Sequence, residues 1–401
     1  MPSMITNAFL FILVFIGASL YGPIKRSGIF RGITKINVEG SKTIPLVQCE
    51  DLHVHNGLVY TACQHSDRAQ DRTKWFPPMG IFDVPVESKN EKRGDLYVID
   101  PQTTLYQKLK VSNFDVIDFH THGIGLYPDA ENLFIFAVNH LPNPDHIKDP
   151  QSPAARSQIE IFKVSLPVDG SLPTTATHVK SVLHPAIRTP NDILPTGPSS
   201  FYVTNDHFYR DGFMRVLEDV SGPNYGRWSD SVHVDASGTK TVAHQVVSGL
   251  HNNNGIMRGM DNEVIIMSAA GGTMYRLKDD PVSKNLTLIK DVSLDSSLDN
   301  PFYFSEGSEE QNAYYLAGYP KILSLLNGHK DLNVPIDSIV WRLKKRNDGT
   351  FTKEIVFMDD GTSQSSASSA VVVPLKSDPN RGLLLVSGPW SHHITVTEIN
   401  L

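Results

Sequence analysis

Carboxylate and amide side chains stand directly before short apolar segments at several points of this sequence. The set comprises Glu50, Asn191, Asn254, Asp299 and Asn300. Hard oxygen donors in such a mixed set suit Ca²⁺, which accepts about six to eight oxygen ligands in loose geometry, whereas transition metals demand more imidazole or sulfur. One Asn or Asp before a strand is usually a turn residue, so the prediction of a calcium site depends on the whole set converging in the fold.

Several other chemistries are excluded by what the sequence lacks. It has no GxSxG nucleophile elbow, no HExxH helix, no P-loop and no dinucleotide-binding fingerprint in a strand–helix context. Its 2 cysteines are too few for a thiolate zinc cluster. The net charge of −7 and the isoelectric point near 6.1 argue against a nucleic-acid partner, which requires concentrated positive charge.

The elements that must bring the oxygen donors together are short strands. Runs rich in Val, Ile, Tyr and Phe recur between Gly, Asn, Asp and Pro, and no long stretch has the apolar spacing of an amphipathic helix. A polar residue precedes a strand and hairpin at 50–51, 122, 191–192, 254, 299–300 and, less clearly, 366–369. These six starts predict an all-β, six-bladed β-propeller, in which the innermost strand of each blade begins at one mouth of the central channel.

We expect residues 25–401 to form this propeller as a single domain. A pair of β-sandwiches is the structural alternative, but no linker of biased composition divides the chain. In the propeller the oxygen donors of several blades would converge on the axis. The fold prediction and the calcium prediction therefore support each other.

Residues 1–24 form an N-terminal hydrophobic segment. No charged side chain precedes Lys25, and the continuously apolar stretch 8–16 is short for a membrane span but fits the h-region of a signal peptide. Because the usual basic n-region is missing, a cleaved signal peptide and an uncleaved signal-anchor both remain open. Either one predicts a secretory-pathway protein, secreted or membrane-associated, with Asn285 of the sequon 285–287 as a glycosylation site.

The two cysteines, Cys49 and Cys63, flank a hairpin-like segment with Asn56-Gly57 at its turn. A two-residue loop would pair residue 49 with residue 64, whereas a three-residue loop with a bulge would pair 49 with 63 directly. Secretion would favour a disulfide. The sequence does not settle the register, so the disulfide remains open.

Two longer blocks of the sequence resemble the paraoxonase/arylesterase family. FDVIDFHTHGIG at 114–125 is similar to the family's Phe-Asp-Val…His-Gly-Ile signature, and PNDILPTGPSSFYVTNDHFY at 190–209 is similar to its Asn-Asp-Ile…Thr-Asn-Asp-His block. Shorter matches follow in the family's order at 49–58, 138–140, 253–256 and 298–300. The resemblance runs from about residue 45 to the C-terminus and implies a divergent, non-animal-like member of these calcium-dependent propeller lactonases.

The resemblance implies two calcium ions. The five donors named above would hold the catalytic ion, and Asp51, Asp192 and the backbone carbonyl of Ile124 would hold a structural ion. Neighbouring strand residues point in opposite directions, so the doublets 50–51 and 191–192 could each serve both ions. His122 and His140 match the family's histidine pair. The implied reaction has calcium polarising a carbonyl while His122 takes a proton from water and His140 orients or relays for it.

The predicted pocket wall departs from the family pattern. Because the sequence ends TEINL without a cysteine, we expect the disulfide that ties the N-terminal region of animal members to their last strand to be absent. Asn252 and Asn253 stand where the family carries an aromatic or apolar residue, and Tyr319 also differs from mammalian relatives. Together with His207, expected to be a wall residue, they predict a more polar substrate than the lipophilic lactones of the family.

The predicted function is that of a calcium-dependent carboxylic ester hydrolase, a lactonase or arylesterase. One alternative is an enzyme of the same fold with non-hydrolytic biosynthetic chemistry, such as an isomerase or cyclase. The other is a non-enzymatic propeller that is stabilised by calcium and binds a partner or a lipid surface. The predicted partner is a small ester or lactone, with membrane association through the N-terminal segment and no nucleic acid.

Overall fold

The computed structural model describes residues 22, 24–83, 94–115 and 119–401. The predicted N-terminal hydrophobic segment lies outside this description except for residues 22 and 24. Among the described residues, no helix combines the length and the apolar character needed to cross a bilayer.

Strands dominate the described chain. The first half contains β1 (Lys42–Ile44), β2 (Leu52–His55), β3 (Leu58–Gln64), β4 (Trp75–Phe76), β5 (Ile81–Phe82), β6 (Gly94–Asp100), β7 (Leu105–Lys108), β8 (Lys110–Ser112), β9 (Thr121–Asp129), β10 (Asn132–Pro142), β11 (Ala155–Ser165), β12 (Thr175–Val182), β13 (Pro190–Gly197) and β14 (Ser200–Asn205). The second half contains β15 (Ser229–Asp235), β16 (Val242–Leu250), β17 (Asn253–Arg258), β18 (Val264–Ser268), β19 (Thr273–Asp279), β20 (Leu286–Ser293), β21 (Ser297–Phe304), β22 (Ala313–Tyr319), β23 (Ser338–Lys345), β24 (Phe351–Asp359), β25 (Ser369–Leu375), β26 (Asp378–Ser387) and β27 (Ile394–Asn400).

These strands form the predicted six-bladed β-propeller. The blades are β2-β3-β6-β7, β9-β10-β11-β12 with β8 added in parallel to β12, β13 to β16, β17 to β20, β21 to β24, and β25-β26-β27-β1. Neighbouring first strands contact one another around the ring, namely β2, β9, β13, β17, β21 and β25. They begin at 52, 121, 190, 253, 297 and 369, at or within a few residues of the predicted blade starts. The polar residues at these starts therefore reach the hub.

The ring is closed by strand pairing between the two ends of the described chain. β1 pairs antiparallel with β27, with Lys42 opposite Val396, and so forms the outer edge of the last blade. Residues 45–51 then carry the chain from this edge to β2 at the hub. Apolar clusters lie between adjacent blades; Tyr60, Ile124 and Phe162, for example, pack between the first two blades. Burial on both faces explains why inner strands such as β3, β10 and β22 are almost continuously buried and rich in apolar residues, whereas the outermost strands are largely exposed.

The hairpin between the two cysteines has the two-residue turn considered above, and it also carries a disulfide. His55 pairs with Leu58, so Asn56 and Gly57 form the turn with positive φ angles of 52° and 73°. Cys49 is nevertheless bonded to Cys63. Both occur because the chain leaves the ladder before Leu52, which frees Cys49 from the register that would place it opposite residue 64.

Helices occur between the strands: α1 (Pro144–Lys148), α2 (Gly212–Tyr225), α3 (Ile322–Gly328) and the 3₁₀ helices Ser66–Thr73, Pro77–Met79, Met260–Asn262 and Glu309–Gln311. The helix α2 forms over 14 residues although no long stretch of the sequence has the apolar spacing of an amphipathic helix. Its apolar side chains Phe213, Val216 and Val220 are exposed rather than packed in a core. The backbone also kinks at Gly222. These features removed the pattern by which a core helix is recognised.

Candidate metal centre and histidine pair

The five predicted oxygen donors meet at the hub of the ring. Glu50 lies just before β2, Asn191 in β13, Asn254 in β17, and Asp299 with Asn300 in β21; all five side chains are buried. A cavity of about 490 Å³ opens over them, and its lining includes all of these residues except Asn300. The Asn300 amide instead donates to Glu50 Oε1 at 2.9 Å. The fold thus brings together the donors on which the calcium prediction depends.

Three oxygen atoms of this group are buried without a hydrogen-bond partner in the structure. They are Glu50 Oε2, Asp299 Oδ1 and Asn300 Oδ1. An unsatisfied buried acceptor is costly, and native proteins rarely keep several of them together. A divalent cation with a preference for carboxylate and amide oxygen would satisfy all three. The residues present therefore fit the calcium ion that the sequence predicts.

The carboxylates of the hub carry strongly perturbed pKa values. Burial raises the pKa of Glu50 well above its usual range, and the charges of Asp299 and Asp51 raise it further. Burial likewise raises the pKa of Asp299, although a hydrogen bond from Tyr319 at 3.1 Å opposes that shift. Carboxylates crowded away from water favour either a proton or a cation.

The second predicted set, Asp51, Asp192 and Ile124, lies beside the first and has a different environment. Asp51 Oδ2 accepts from the Ile124 backbone N–H at 3.2 Å, and Asp192 Oδ2 accepts from Ile256 N–H at 2.7 Å. His53, which the sequence analysis did not single out, lies with its Nε2 at 2.9 Å from Asp51 Oδ2. Ligand atoms of Asp51, His53 and Asp192 lie within 4.8 Å of one another, close enough to hold a metal ion.

The two histidines expected to act as a pair are in direct contact. His140 Nε2 lies 3.0 Å from His122 Nδ1, and His140 Nδ1 lies 2.8 Å from Ser157 Oγ. His122 Nε2 is 3.9 Å from Glu50 Oε1 and so lies beside the predicted calcium ligands. Burial, together with the charges of His140 and Arg72, lowers the pKa of His122 well below its usual value. Burial lowers the pKa of His140 to about 3, so both rings are neutral at neutral pH.

A segment at 66–82 covers the histidine pair, and its individual residues were missed by the sequence analysis. Trp75 Nε1 donates to the His140 carbonyl at 2.8 Å, and the Phe76 ring packs edge-on against His122 at 5.0 Å. Arg72 is buried and donates to the Thr121 carbonyl at 3.0 Å. The only signal in the sequence was that 67–92 looks like a long insertion; residues 84–93 of it lie outside the described part of the chain.

The structure places three of the four predicted wall residues at the cavity and the fourth elsewhere. Asn252, Tyr319 and His207 line the cavity. Asn253 does not: it is fully buried and its amide donates to Ser231 Oγ at 3.2 Å. The prediction was wrong there because successive residues of a strand point to opposite sides, and Asn254 is the one directed to the hub.

The cavity wall has an apolar side and a charged side. The apolar side includes Phe76, Met79, Ile322, Leu325 and Trp390. On the charged side, His207 lies between Asp206 at 2.8 Å and Asp219 at 2.7 Å, and Arg215 approaches Asp219 at 3.3 Å. The cavity can therefore accept a molecule with both an apolar and a polar part.

Comparison with known proteins agrees with the family resemblance found in the sequence. Serum paraoxonase/arylesterase 2 of Gallus gallus is 30% identical over 214 residues, which cover 52% of this chain and 54% of the relative. Serum paraoxonase/arylesterase 1 of Mus musculus is 27% identical over 283 residues, covering 69% of each chain. The chain thus spans about half the length of the first of these relatives. The family model described as Arylesterase matches residues 86–378, most of the propeller. The chain belongs to the arylesterase (paraoxonase) family.

Proposed function

We propose that this protein is a calcium-dependent hydrolase of esters or lactones. The observation that carries the proposal is the set of buried, unpartnered oxygens of Glu50, Asp299 and Asn300 beside a large cavity and a neutral histidine pair. Membership of the arylesterase family supports hydrolysis at the level of the reaction class.

Glu50, Asn191, Asn254, Asp299 and Asn300 would hold the ion. Calcium supplies Lewis-acid polarisation of a carbonyl and stabilisation of the negative charge that develops on its oxygen. The protein's own contribution is to keep these donors buried and fixed. Tyr319 bonds one oxygen of Asp299, and Asn300 bonds one oxygen of Glu50, so each carboxylate keeps its other oxygen free.

The hydrogen bonds of the histidine pair support a definite distribution of protons. If His140 Nδ1–H donates to Ser157 Oγ, then His140 Nε2 is an acceptor and takes the Nδ1–H of His122. His122 Nε2 is then left with a lone pair directed toward the metal ligands. A general base needs this unprotonated nitrogen, and the lowered pKa of His122 keeps it available at neutral pH. We assign proton abstraction from water to His122 Nε2 and its orientation to His140.

The cavity wall supports a substrate that combines an apolar part with a polar group. Phe76 and Trp390 on one side would contact an acyl or alkyl chain, whereas His207 and Asn252 on the other offer hydrogen bonds.

The Cys49–Cys63 disulfide supports the proposed secretory localisation, because disulfides persist in oxidising compartments. Asn285 is exposed, as its proposed glycosylation requires.

The test is hydrolysis of phenyl acetate and a panel of γ- and δ-lactones by the full chain, with calcium and with a calcium chelator. We expect chelation, Asn254→Ala and Asp299→Ala to abolish hydrolysis, and His122→Gln to lower kcat by about 10²–10⁴-fold, as loss of a general base does. Asn333→Ala, which changes an exposed asparagine that does not line the cavity, is the control and should keep full activity. Bound calcium without hydrolysis of any panel member would refute the hydrolytic proposal and favour non-hydrolytic chemistry at the same site.

A further inference from the structure

The oxygens of Asp51 already have hydrogen-bond partners within the protein. Oδ1 accepts from the Leu52 backbone N–H at 2.8 Å and from Ser369 Oγ at 3.0 Å. Oδ2 accepts from the Ile124 N–H at 3.2 Å and contacts His53 Nε2 at 2.9 Å. An acceptor with two partners on each oxygen has little capacity left for an ion.

Asp192 is satisfied less fully, with one backbone donor on each oxygen. Its Oδ1 accepts from the Ile193 N–H at 2.7 Å and its Oδ2 from the Ile256 N–H at 2.7 Å. The first donor set differs sharply, because Glu50 and Asp299 each keep one buried oxygen with no partner at all. The family resemblance implies that the two neighbouring sets are two calcium sites, but they differ in how far hydrogen bonds within the protein satisfy their oxygens.

His53 lies among the atoms predicted to hold the second ion. Its ring contacts Asp51 and lies within 4.8 Å of an Asp192 ligand atom. An imidazole nitrogen that donates to Asp51 cannot also be a metal ligand, because its lone pair is then replaced by a proton. Calcium, in addition, prefers oxygen to nitrogen donors.

We infer that the His53 side chain takes the place of the second ion, so that this protein binds a single calcium at the hub. The inference uses the proposed function in one respect, namely that calcium occupies the first set. Apart from that, it rests on the position of the His53 ring and on the hydrogen bonds that Asp51 and Asp192 already make. Asp51 would then link the first blade to the second through Ile124 and to the last through Ser369. Asp192 would link the third blade to the fourth through the backbone N–H of Ile256.

The experiment counts ions and does not depend on catalysis. The full chain is stripped with chelator, returned to calcium, freed of excess ion and analysed for bound calcium per chain by elemental analysis and native mass spectrometry. We expect one ion in the wild type and two in His53→Ala, where the ring no longer fills the site. His55→Ala, two residues further along the same strand, is the matched control and should keep one ion. His53→Asn, which retains a side-chain donor, provides a second variant if His53→Ala does not fold.

The possible outcomes separate the inference from the proposed function. Two calcium ions in the wild type would overturn the inference, and so would a folded His53→Ala that gains none. One equivalent of Zn²⁺ bound by the wild type but not by His53→Ala would also overturn it, because the imidazole would then be a ligand. A wild type without any calcium would refute the proposed metal centre. In that case an ion gained by His53→Ala would still support the inference, and no gain would overturn it.

Discussion

The disulfide between Cys49 and Cys63 provides a quantitative test of how the hub is held together. Cys49 directly precedes Glu50 in the segment that crosses from the outer edge of the last blade to the hub. Cys63 lies in β3 of the first blade, and both sulfurs are buried among apolar side chains such as Ile44 and Val59. The bond therefore ties the ring-closing segment to the first blade beside Glu50, a proposed calcium ligand.

The magnitude follows from the length of the closed loop. The two cysteines are 14 positions apart. Removing a disulfide that closes a loop of about 15 residues lowers the free energy of unfolding by about 3 kcal/mol. The unfolding entropy is about 2.1 cal/mol/K per residue, or about 0.8 kcal/mol/K for 401 residues, so the loss corresponds to a drop in Tm of about 4 °C. The change is Cys49→Ala with Cys63→Ala, since alanine leaves no polar group in the apolar cluster.

The assay is thermal and urea unfolding of wild type and double variant, each in saturating calcium and in chelator. We expect the drop in Tm in both conditions and a smaller calcium-induced rise in Tm for the variant, because Glu50 is then less firmly placed. Reductant should lower the Tm of the wild type toward that of the variant and leave the variant unchanged, which serves as the control. A variant within about 1 °C of the wild type, when the loop entropy predicts about 4 °C, would refute the reasoning. An equal rise with calcium in both proteins would refute the link to Glu50.

Two further perturbations test the wall and the histidine pair. Trp75→Phe keeps an aromatic ring but removes the N–H that donates to the His140 carbonyl. A lost hydrogen bond costs about 0.5–1.5 kcal/mol, so we expect kcat to fall about 2- to 10-fold. Steady-state kinetics should show KM unchanged. His207→Gln tests whether the positive charge of a protonated His207 stabilises the fold. Burial lowers the pKa of His207, but the charge of Asp206 and the hydrogen bonds to Asp206 and Asp219 raise it more, so the net shift is upward. The stabilisation by the protonated ring is complete below the unfolded-state pKa near 6.5, and it is lost as the pH rises through the raised pKa of the folded state. The Tm difference between wild type and variant should therefore be largest at pH 6 and shrink toward pH 9. A constant difference across that range would show that the charge has no part in it.

Local chemistry in the sequence was sufficient for the ring and for most of the hub. Polar residues before apolar strands mark the points where each blade begins, and they do so through short-range turn and strand preferences that survive in a single sequence. Glu50, Asn191, Asn254 and Asp299 could therefore be assigned to one mouth of the channel, which the structure bears out geometrically. His122 and His140 were assigned from the family resemblance, since nothing local distinguishes them from other histidines.

The remaining features depend on which distant residues meet, and no local pattern encodes that. The register of the first hairpin did not settle whether Cys49 reaches Cys63, because the answer depends on where the closing segment leaves the ladder. Arg72 became a buried contact of the histidine strand only through the folding of an insertion over it. His53 was unremarkable in the sequence, yet the convergence of three blades puts it against Asp51 and Asp192. The sequence by itself determined the number of blades and the donor types, whereas tertiary packing decided which donors keep a free oxygen, because hydrogen-bond satisfaction is a property of neighbours in space.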